Sequence, residues 1–405
     1  MTNKKKLTFP KLFIMSLLIM IGVEFIFTLT QTQTLKVFES KNLENAMHGI
    51  DTFRSNQWQT LRKALCGKGI PNQKQRLKLA KLFFHLARLE VFEGDVSVGR
   101  ISVANLFFNH DTWGYQVYYG DPAFKVIYVR AWKCGNNQIN NFHHQVFDNL
   151  KGELKFVDSI GKSLDTIRTT SGFTKDTCIY TAIRDPISHF LSGYNEVEHI
   201  ILNKKRRRNG IKLKALAPFH NKVPYIFNRN MTFNNDGVSL ETFHSLEFHD
   251  RRKKRFEEFV KDLLRQDANF YRDYRYFHVF AMSAMLTNLA RKNVKLTGYI
   301  PTLSNLTSSW PKFISENCTG APRLEDFPKL EIAGQHNSSK DPFFTYKAAY
   351  DVWNEGGNIS RALCLLHTMD YSCWRDLPDG IPNLCMEMYE KYYDTIISTA
   401  LPDEK

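Results

Sequence analysis

Two apolar, β-branched segments are each followed by a loop and a helical pattern, and this repeat most restricts what the chain can fold into. The segments Phe124–Ala131 and Lys175–Ile183 have the composition of buried strands. Gln138–Leu150 and Pro186–Leu202 follow them with helical spacing, and a proline suits the first turn of a helix. Strands that alternate with helices predict an α/β fold, in which a parallel sheet has helices on both faces.

Other segments extend the same α/β pattern. Two shorter strands are predicted at Leu154–Val157 and Val294–Tyr299. Helical periodicity predicts helices at Gln75–Val91, Phe256–Arg265 and Ser283–Lys292, and mostly helical structure from Phe344 onward.

An apolar run near the N-terminus predicts a membrane anchor. Residues 12–29 are 18 positions with one charge, Glu24, and a helix of that length rises about 27 Å. Four lysines precede the run, which places residues 1–11 in the cytosol and the rest of the chain in the lumen. A cleaved signal peptide has the same basic flank, but its apolar region is usually about 7–15 residues, and no A-x-A-like site follows here. We therefore expect a signal-anchor at 12–29, a stem and entry subdomain at 30–120, and a lumenal domain at 121–405.

Glycosylation motifs and cysteines agree with a lumenal domain. Five Asn-x-Ser/Thr motifs begin at Asn230, Asn305, Asn317, Asn337 and Asn358. All seven cysteines follow the predicted anchor. An oxidising lumen allows a disulfide within the cluster of Cys364, Cys373 and Cys385, and an odd number leaves at least one thiol free or paired with another chain. No CxxC or Cys/His spacing indicates a metal site.

The formal net charge of +14 is concentrated in part in two basic runs, Lys204–Arg208 and Arg251–Arg255. Such runs indicate nucleic acid in a nuclear protein. Behind a membrane anchor they indicate an acidic partner such as an anionic glycan, so no nucleic-acid partner is expected. The alternative is a solvated loop and a charged helix start.

The two strand–loop–helix units carry the candidate chemistry. After the first strand, Lys133-Cys134-Gly135 leads into a helix whose N-terminal N–H groups attract phosphate, and glycine allows the backbone to approach it. The loop is neither GxxxxGK[ST] nor GxGxxG. After the second strand, Arg184 lies where open α/β sheets bind ligands, and Ser192 follows two helical turns later. Two phosphate sites on one sheet suit a 3′,5′-bisphosphate nucleotide.

These segments resemble the Golgi-type carbohydrate sulfotransferase family. KVIYVRAWKCGNNQI resembles its 5′-phosphosulfate loop, although Trp132 and Asn137 stand where the family usually has Pro and Thr or Ser. YTAIRDPISHFLSGY resembles its 3′-phosphate motif. Weaker similarities are KLTGYIPTL and the stretch at 335–339.

The resemblance implies the sulfotransferase fold, a P-loop-like parallel sheet flanked by helices, for the domain at 121–405. It also implies PAPS (3′-phosphoadenosine 5′-phosphosulfate) as donor and a hydroxyl or amine of a glycan or glycoconjugate as acceptor, with no metal. Lys133 would neutralise charge on the leaving bridging oxygen. Arg184 and Ser192 would hold the 3′-phosphate. The 5′-phosphate would be held by Lys133, Cys134, Gly135, Asn136, Asn137 and Gln138. The general base is not identified, and its candidates are His143, His144, His278, Glu153 and Asp158.

Two other classes share some of these features. A type II glycosyltransferase has the same anchor and motifs, but its frequent Asp-x-Asp loop is absent from this sequence. A non-catalytic polyanion-binding membrane protein with a decayed nucleotide site is consistent with the basic runs and with Trp132 and Asn137.

Overall fold

The computed structural model describes ten parts of the chain. They are residues 56–66, 73–92, 115–119, 125–147, 153–157, 177–202, 246–265, 278–286, 296–332 and, except for 375 and 378, 344–400. Thr60–Lys405 form one compact unit, and the described part of the other unit, Met1–Gln59, is the first turn of a helix. The predicted anchor at 12–29, the basic run at 204–208 and the stretch at 335–339 lie outside the described residues. Within these ten parts, no helix is long and apolar enough to cross a membrane.

Five strands form one mixed sheet. They are β1 (Tyr115–Tyr119), β2 (Lys125–Val129), β3 (Glu153–Val157), β4 (Cys178–Ala182) and β5 (Gly298–Ile300). The order across the sheet is β3-β1-β2-β4-β5. β2, β4 and β5 pair in parallel, with Ile127 opposite Ile179 and Thr181 opposite Tyr299. β1 is antiparallel to both β2 and β3, so β3 runs in the same direction as β2 without pairing with it.

Helices account for most of the remaining described residues. They are α1 (56–66), α2 (Gln73–Val91), α3 (Asn136–Phe147), α4 (Pro186–Leu202), α5 (Leu246–Arg265), α6 (Leu306–Asn317), α7 (Thr345–Asn354), α8 (Asn358–Leu366), α9 (Thr368–Cys373), α10 (Asn383–Lys391) and α11 (Tyr393–Ala400). Short 3₁₀ turns lie at Ser283–Leu286 and Leu324–Asp326.

The predicted strands and helices are largely present, with differences in extent. The predicted helix at Phe256–Arg265 begins ten residues earlier, at Leu246, and thus includes the second basic run. The predicted helix at Ser283–Lys292 is a 3₁₀ turn over its described part. β1 is a strand that was not predicted; it precedes the expected domain boundary at residue 121 and yet pairs with β2 along its whole length.

Aromatic side chains fill the core around the central strands. Tyr128 of β2 and Tyr180 of β4 are fully buried, with ring centroids 5.2 Å apart. Phe142 of α3 and Trp310 of α6 pack together, 5.6 Å apart, in the same hydrophobic cluster. Burial of such large rings is a major part of the stabilising hydrophobic energy. The central strands therefore pack within a buried cluster that is rich in aromatic side chains.

Three disulfides tie distant parts of the chain together. They are Cys66–Cys373, Cys178–Cys318 and Cys364–Cys385. The expected pair within the C-terminal cluster is thus Cys364–Cys385. The free thiol is Cys134, which is buried in the loop after β2.

Candidate functional site

The carboxyl ends of β2, β4 and β5 open at one edge of the sheet, because the three strands are parallel. The loop after β2 contains Lys133, and the loop after β4 contains Arg184. The N–H of Ile183 donates to the carbonyl of Ile300 at 2.9 Å, which joins the ends of β4 and β5. The structure therefore brings together the two loops that the sequence singled out.

The loop after β2 is a tight turn followed by a helix start. The N–H of Cys134 donates to the Ala131 carbonyl at 3.2 Å, and Lys133 between them has a φ of 61°. This left-handed conformation is unfavourable for a residue with a Cβ. The Gly135 carbonyl accepts from the N–H groups of Gln138 and Ile139 at 2.9 and 3.0 Å, so Gly135 immediately precedes α3. The first N–H groups of α3 have no acceptor within the helix, which favours an anion at this end.

Glycine is required at position 135 for two reasons. Its φ is 73°, a region open mainly to glycine. A Cβ there would also lie 3.1 Å from Leu306 and 3.2 Å from Leu303, at and just before the start of α6. The loop after β5 thus packs directly on the turn that begins α3.

The side chain of Lys133 is held at the surface by an ion pair. Its Nζ lies 3.3 Å from Oε2 of Glu196 on α4, and the two side chains are 22% and 25% exposed. Glu196 was not among the predicted site residues. Its contact with Lys133 depends on the rotation of α4, which the spacing of residues does not reveal.

The other predicted residues of this loop have different environments. Asn136 is buried, and its Oδ1 accepts from the Tyr128 hydroxyl at 2.6 Å. The Gln138 amide donates to the Glu331 carbonyl at 3.3 Å. Asn137 is exposed on the first turn of α3. Burial raises the pKa of the Cys134 thiol to about 12, so this cysteine stays protonated.

Arg184 links the two loops. Its Nη1 donates to the Lys133 carbonyl at 3.4 Å, and its Nη2 donates to the Ser188 hydroxyl at 2.5 Å. Ser192, the predicted partner, is buried one turn further along α4. An added Cβ on the adjacent Gly193 would lie 2.1 Å from the His278 carbonyl oxygen, so α4 meets another segment closely at this point. The structure therefore puts Ser188 against the guanidinium of Arg184.

Asp185 and Pro186 start the helix that follows. The Asp185 carboxylate accepts from the Ser188 N–H at 2.6 Å, and its carbonyl accepts from the His189 N–H at 2.8 Å. This is the geometry of an N-cap, and proline is favoured at the next position. Burial raises the pKa of Asp185, although the hydrogen bonds from Ser188 and the Tyr371 hydroxyl act against that shift.

His189, like Glu196, contacts the loop after β2 and was not predicted as a site residue. It is fully buried on α4, and its Nε2 lies 2.8 Å from the Trp132 carbonyl oxygen. Burial lowers the pKa of His189 to about 3, so the ring is neutral. In the sequence it is a single histidine within an apolar helix pattern, which gives no signal of this role.

The histidines proposed as general bases lie in three different environments. His143 is in the core, with Nε2 2.5 Å from the Tyr180 hydroxyl, and burial lowers its pKa to about 3. His144 is exposed on α3. His278 packs edge-on against Trp132, with ring centroids 4.8 Å apart, which places it beside the loop. Glu153 lies at the start of β3, the end opposite to the candidate site, and Asp158 lies outside the described residues.

The five side chains of the basic run at 251–255, on α5, lie in different environments. Arg255 is buried and its Nη2 lies 3.0 Å from both carboxylate oxygens of the buried Glu198. Arg252 is also buried, and Lys253 is ion-paired with Glu355. Arg251 and Lys254 are exposed. The run therefore lies inside α5, not at its start, with two of its five side chains buried and two exposed.

The described residues hold no group of three or more His, Cys, Asp or Glu side chains that could bind a metal ion.

Comparisons with known proteins found no match: no family model, no curated protein and no solved structure is similar to the chain.

Proposed function

We propose that the chain is a PAPS-dependent sulfotransferase that transfers a sulfonyl group to a hydroxyl or amine of a glycan or glycoconjugate. The main support for the proposal is the contact between the two loops at Lys133 and Arg184. The guanidinium of Arg184 lies 3.4 Å from the Lys133 carbonyl, so two cationic side chains from separate strand–loop–helix units share one edge of the sheet.

The residues at this edge suit an anionic nucleotide. The first N–H groups of α3 would be free to bind an anion, and the positive φ of Gly135 forms the turn that places them at this edge. Lys133 is already paired with a carboxylate, which a phosphosulfate oxygen can replace. Ser188 and Arg184 form a second donor group for the 3′-phosphate. In this proposal Ser188 joins Ser192 as a candidate.

PAPS supplies the sulfonyl group in this chemistry. The chain would contribute charge and orientation: Lys133 would stabilise the negative charge that the bridging oxygen gains during transfer. Arg184 would bind the 3′-phosphate, away from the bond that breaks. A group near the acceptor would take its proton, and His278, which packs on Trp132 of the loop, is our candidate for this role.

Lumenal location is part of the same proposal. Three disulfides are typical of proteins that fold in an oxidising compartment. The asparagines of the three described glycosylation motifs, Asn305, Asn317 and Asn358, are all exposed. With the apolar run at 12–29 these features favour a single-pass type II protein of the Golgi membrane.

Protease protection and glycosidase treatment test this location. In sealed membranes, protease should spare the chain after about residue 31, and glycosidase should lower its mass. A full-length protein that is both soluble and unglycosylated would contradict this location.

One pair of measurements tests the proposed reaction. Calorimetry should detect binding of adenosine 3′,5′-bisphosphate (PAP), and labelled sulfate should pass from PAPS to a mixture of glycans. Uridine and guanosine diphosphate sugars serve as controls for the glycosyltransferase alternative. Binding of a nucleotide sugar with no binding of PAP would reject the proposal in favour of that class. Binding of anionic glycans with neither nucleotide would favour the non-catalytic alternative.

A further inference from the structure

We propose that His189 is a positioning residue of this reaction, which holds the backbone of Lys133 by donating a hydrogen bond to the Trp132 carbonyl. The inference rests on the proposed function, because the role of Lys133 does. It concerns a residue for which the sequence pattern gave no functional signal.

The direction of the hydrogen bond follows from its acceptor. A backbone carbonyl only accepts, so Nε2 of His189 must carry the proton in the 2.8 Å contact with Trp132. Because the ring is neutral, Nδ1 then has a lone pair. Nδ1 forms no hydrogen bond with any residue in the described part of the chain. Among the described residues, the Trp132 carbonyl is thus the hydrogen-bond partner of the buried His189 imidazole.

The two peptide groups that flank Lys133 are both held by the β4–α4 unit. His189 binds the carbonyl of the peptide before Lys133, and Arg184 binds the carbonyl of the peptide after it. The orientation of the first peptide determines φ of Lys133, and that of the second determines ψ. The N–H of Cys134 adds a bond from the second peptide to Ala131. Both dihedral angles of the lysine are therefore restrained.

Such a restraint is needed because the conformation of Lys133 is unfavourable. The left-handed conformation is unfavourable for a residue with a Cβ, and a buried hydrogen bond can offset a large part of that cost. Without His189 the turn loses one of the contacts that offset the cost of φ = 61°. The lysine side chain would then leave the position from which it reaches the bridging oxygen, while α3 and Arg184 stay in place.

The test compares two variants that each remove one buried donor. His189→Phe keeps a planar ring and removes the donor to Trp132. The matched control is Thr181→Val: Thr181 is fully buried on β4, and its hydroxyl donates at 2.8 Å to the Val129 carbonyl, three residues before Trp132. For the full-length protein in detergent, we expect His189→Phe to lower kcat about 10-fold and PAP affinity less than 3-fold. Thr181→Val should keep the wild-type kcat, and His189→Gln should recover part of it through its amide donor.

A double-mutant cycle separates positioning from a general loss of structure. If His189 acts through Lys133, His189→Phe should cost less than 2-fold in kcat once Lys133→Ala is present. Equal costs in both backgrounds would overturn the proposal, as would a folded His189→Phe protein with the wild-type kcat.

Two readouts do not depend on sulfate transfer, so they keep this inference apart from the proposed function. Hydrogen exchange of the peptide that spans residues 130–139 should be about 10-fold faster in His189→Phe and unchanged in Thr181→Val. In the wild-type protein, ¹⁵N shifts of labelled histidine should show the Nε2–H tautomer for His189. A protonated Nδ1 would refute the hydrogen bond even if the Phe variant failed to fold. If PAP did not bind but hydrogen exchange responded as expected, the restraint of the loop by His189 would be supported and the sulfotransferase proposal would be rejected.

Discussion

The ammonium group of Lys133 lies 3.3 Å from the carboxylate of Glu196, so the lysine after β2 is ion-paired with the helix that follows β4. Both side chains are about a quarter exposed, and an ion pair in such surroundings contributes at most about 1 kcal/mol. A nucleotide can therefore displace Glu196 at low cost. The pair holds the Lys133 side chain against α4.

The first prediction concerns this ion pair. Glu196→Gln removes the competing carboxylate, so we expect PAP to bind about 2- to 5-fold more tightly at low salt. The gain should shrink as salt is added, because screening weakens the contact in the wild type. Calorimetry at two ionic strengths measures both effects. The control is Glu316→Gln, which removes an exposed partner of Lys312 on α6 and should leave the affinity unchanged. Weaker PAP binding in Glu196→Gln would show that Glu196 supports the site instead of competing with the ligand.

The second prediction separates catalysis by Lys133 from binding by Lys133. Charge on the bridging oxygen grows only as the bond to sulfur breaks, so Lys133→Ala should lower kcat about 10²-fold or more. PAP affinity should fall by much less than that factor. Lys133→Arg should recover activity only in part, because a planar fork does not replace a compact point charge. Single-turnover transfer of labelled sulfate gives the rates. A wild-type rate for Lys133→Ala would remove the lysine from the mechanism.

The third prediction concerns the nucleotide contacts of Arg184. Arg184→Ala should weaken PAP and PAPS binding by about 2–3 kcal/mol, because a charge-assisted contact to the 3′-phosphate is lost. Adenosine 5′-phosphosulfate has no 3′-phosphate and should bind the wild type and the variant alike. Competition binding with the three ligands provides the comparison. Equal losses for all three would mean that Arg184 acts through its contacts with Lys133 and Ser188, and so through the fold of the loop.

The elements that meet at the site could be predicted because their signals are local. The strands that precede Lys133 and Arg184 are short, apolar and β-branched, and parallel pairing then places both residues at one edge. The capping role of Asp185 is likewise a local matter of helix starts.

The remaining contacts depend on how helices rotate and pack. Glu196 and His189 reach the loop because of the rotation of α4, and one sequence without aligned relatives gives no information on that rotation. The Cys66–Cys373 disulfide spans 307 positions, and pairings of that kind do not follow from spacing. The burial of Arg252 and Arg255 in the basic run at 251–255 was also not predicted, because the run lies within α5 and not at the start of a helix.

The fourth prediction tests the close packing at Gly135 with a matched glycine. Gly135 and Gly356 both have positive φ, 73° and 65°, but a Cβ at Gly356 would meet nothing within 4 Å. Gly356→Ala should therefore cost about 1 kcal/mol of stability through its backbone conformation alone. Gly135→Ala should cost about 1 kcal/mol more, because Leu303 and Leu306 must move. It should also weaken PAP binding, since the start of α3 shifts. Denaturant unfolding and calorimetry measure the two effects, and equal stability losses would show that the leucines adapt freely.

The fifth prediction concerns the pH dependence of stability caused by His143. Burial lowers the pKa of His143 from 6.5 to about 3 in the folded protein. The unfolded chain therefore binds the proton first as the pH falls, and stability that is complete above pH 6.5 declines toward pH 3. Between pH 7.5 and pH 5 this one group should remove about 2 kcal/mol from the free energy of unfolding.

His143→Gln isolates that contribution, because glutamine does not titrate. Its free energy of unfolding should fall by about 2 kcal/mol less than that of the wild type over this pH range, whatever its stability at pH 7.5. Tyr180→Phe is the matched control: it removes the hydroxyl that contacts His143 at 2.5 Å and leaves the imidazole buried. That variant should keep the full pH dependence. Denaturant unfolding under non-reducing conditions at the two pH values provides the data. If Tyr180→Phe lost the pH dependence and His143→Gln kept it, burial of the imidazole would not be the cause, and the same account of the neutral ring of His189 would need revision.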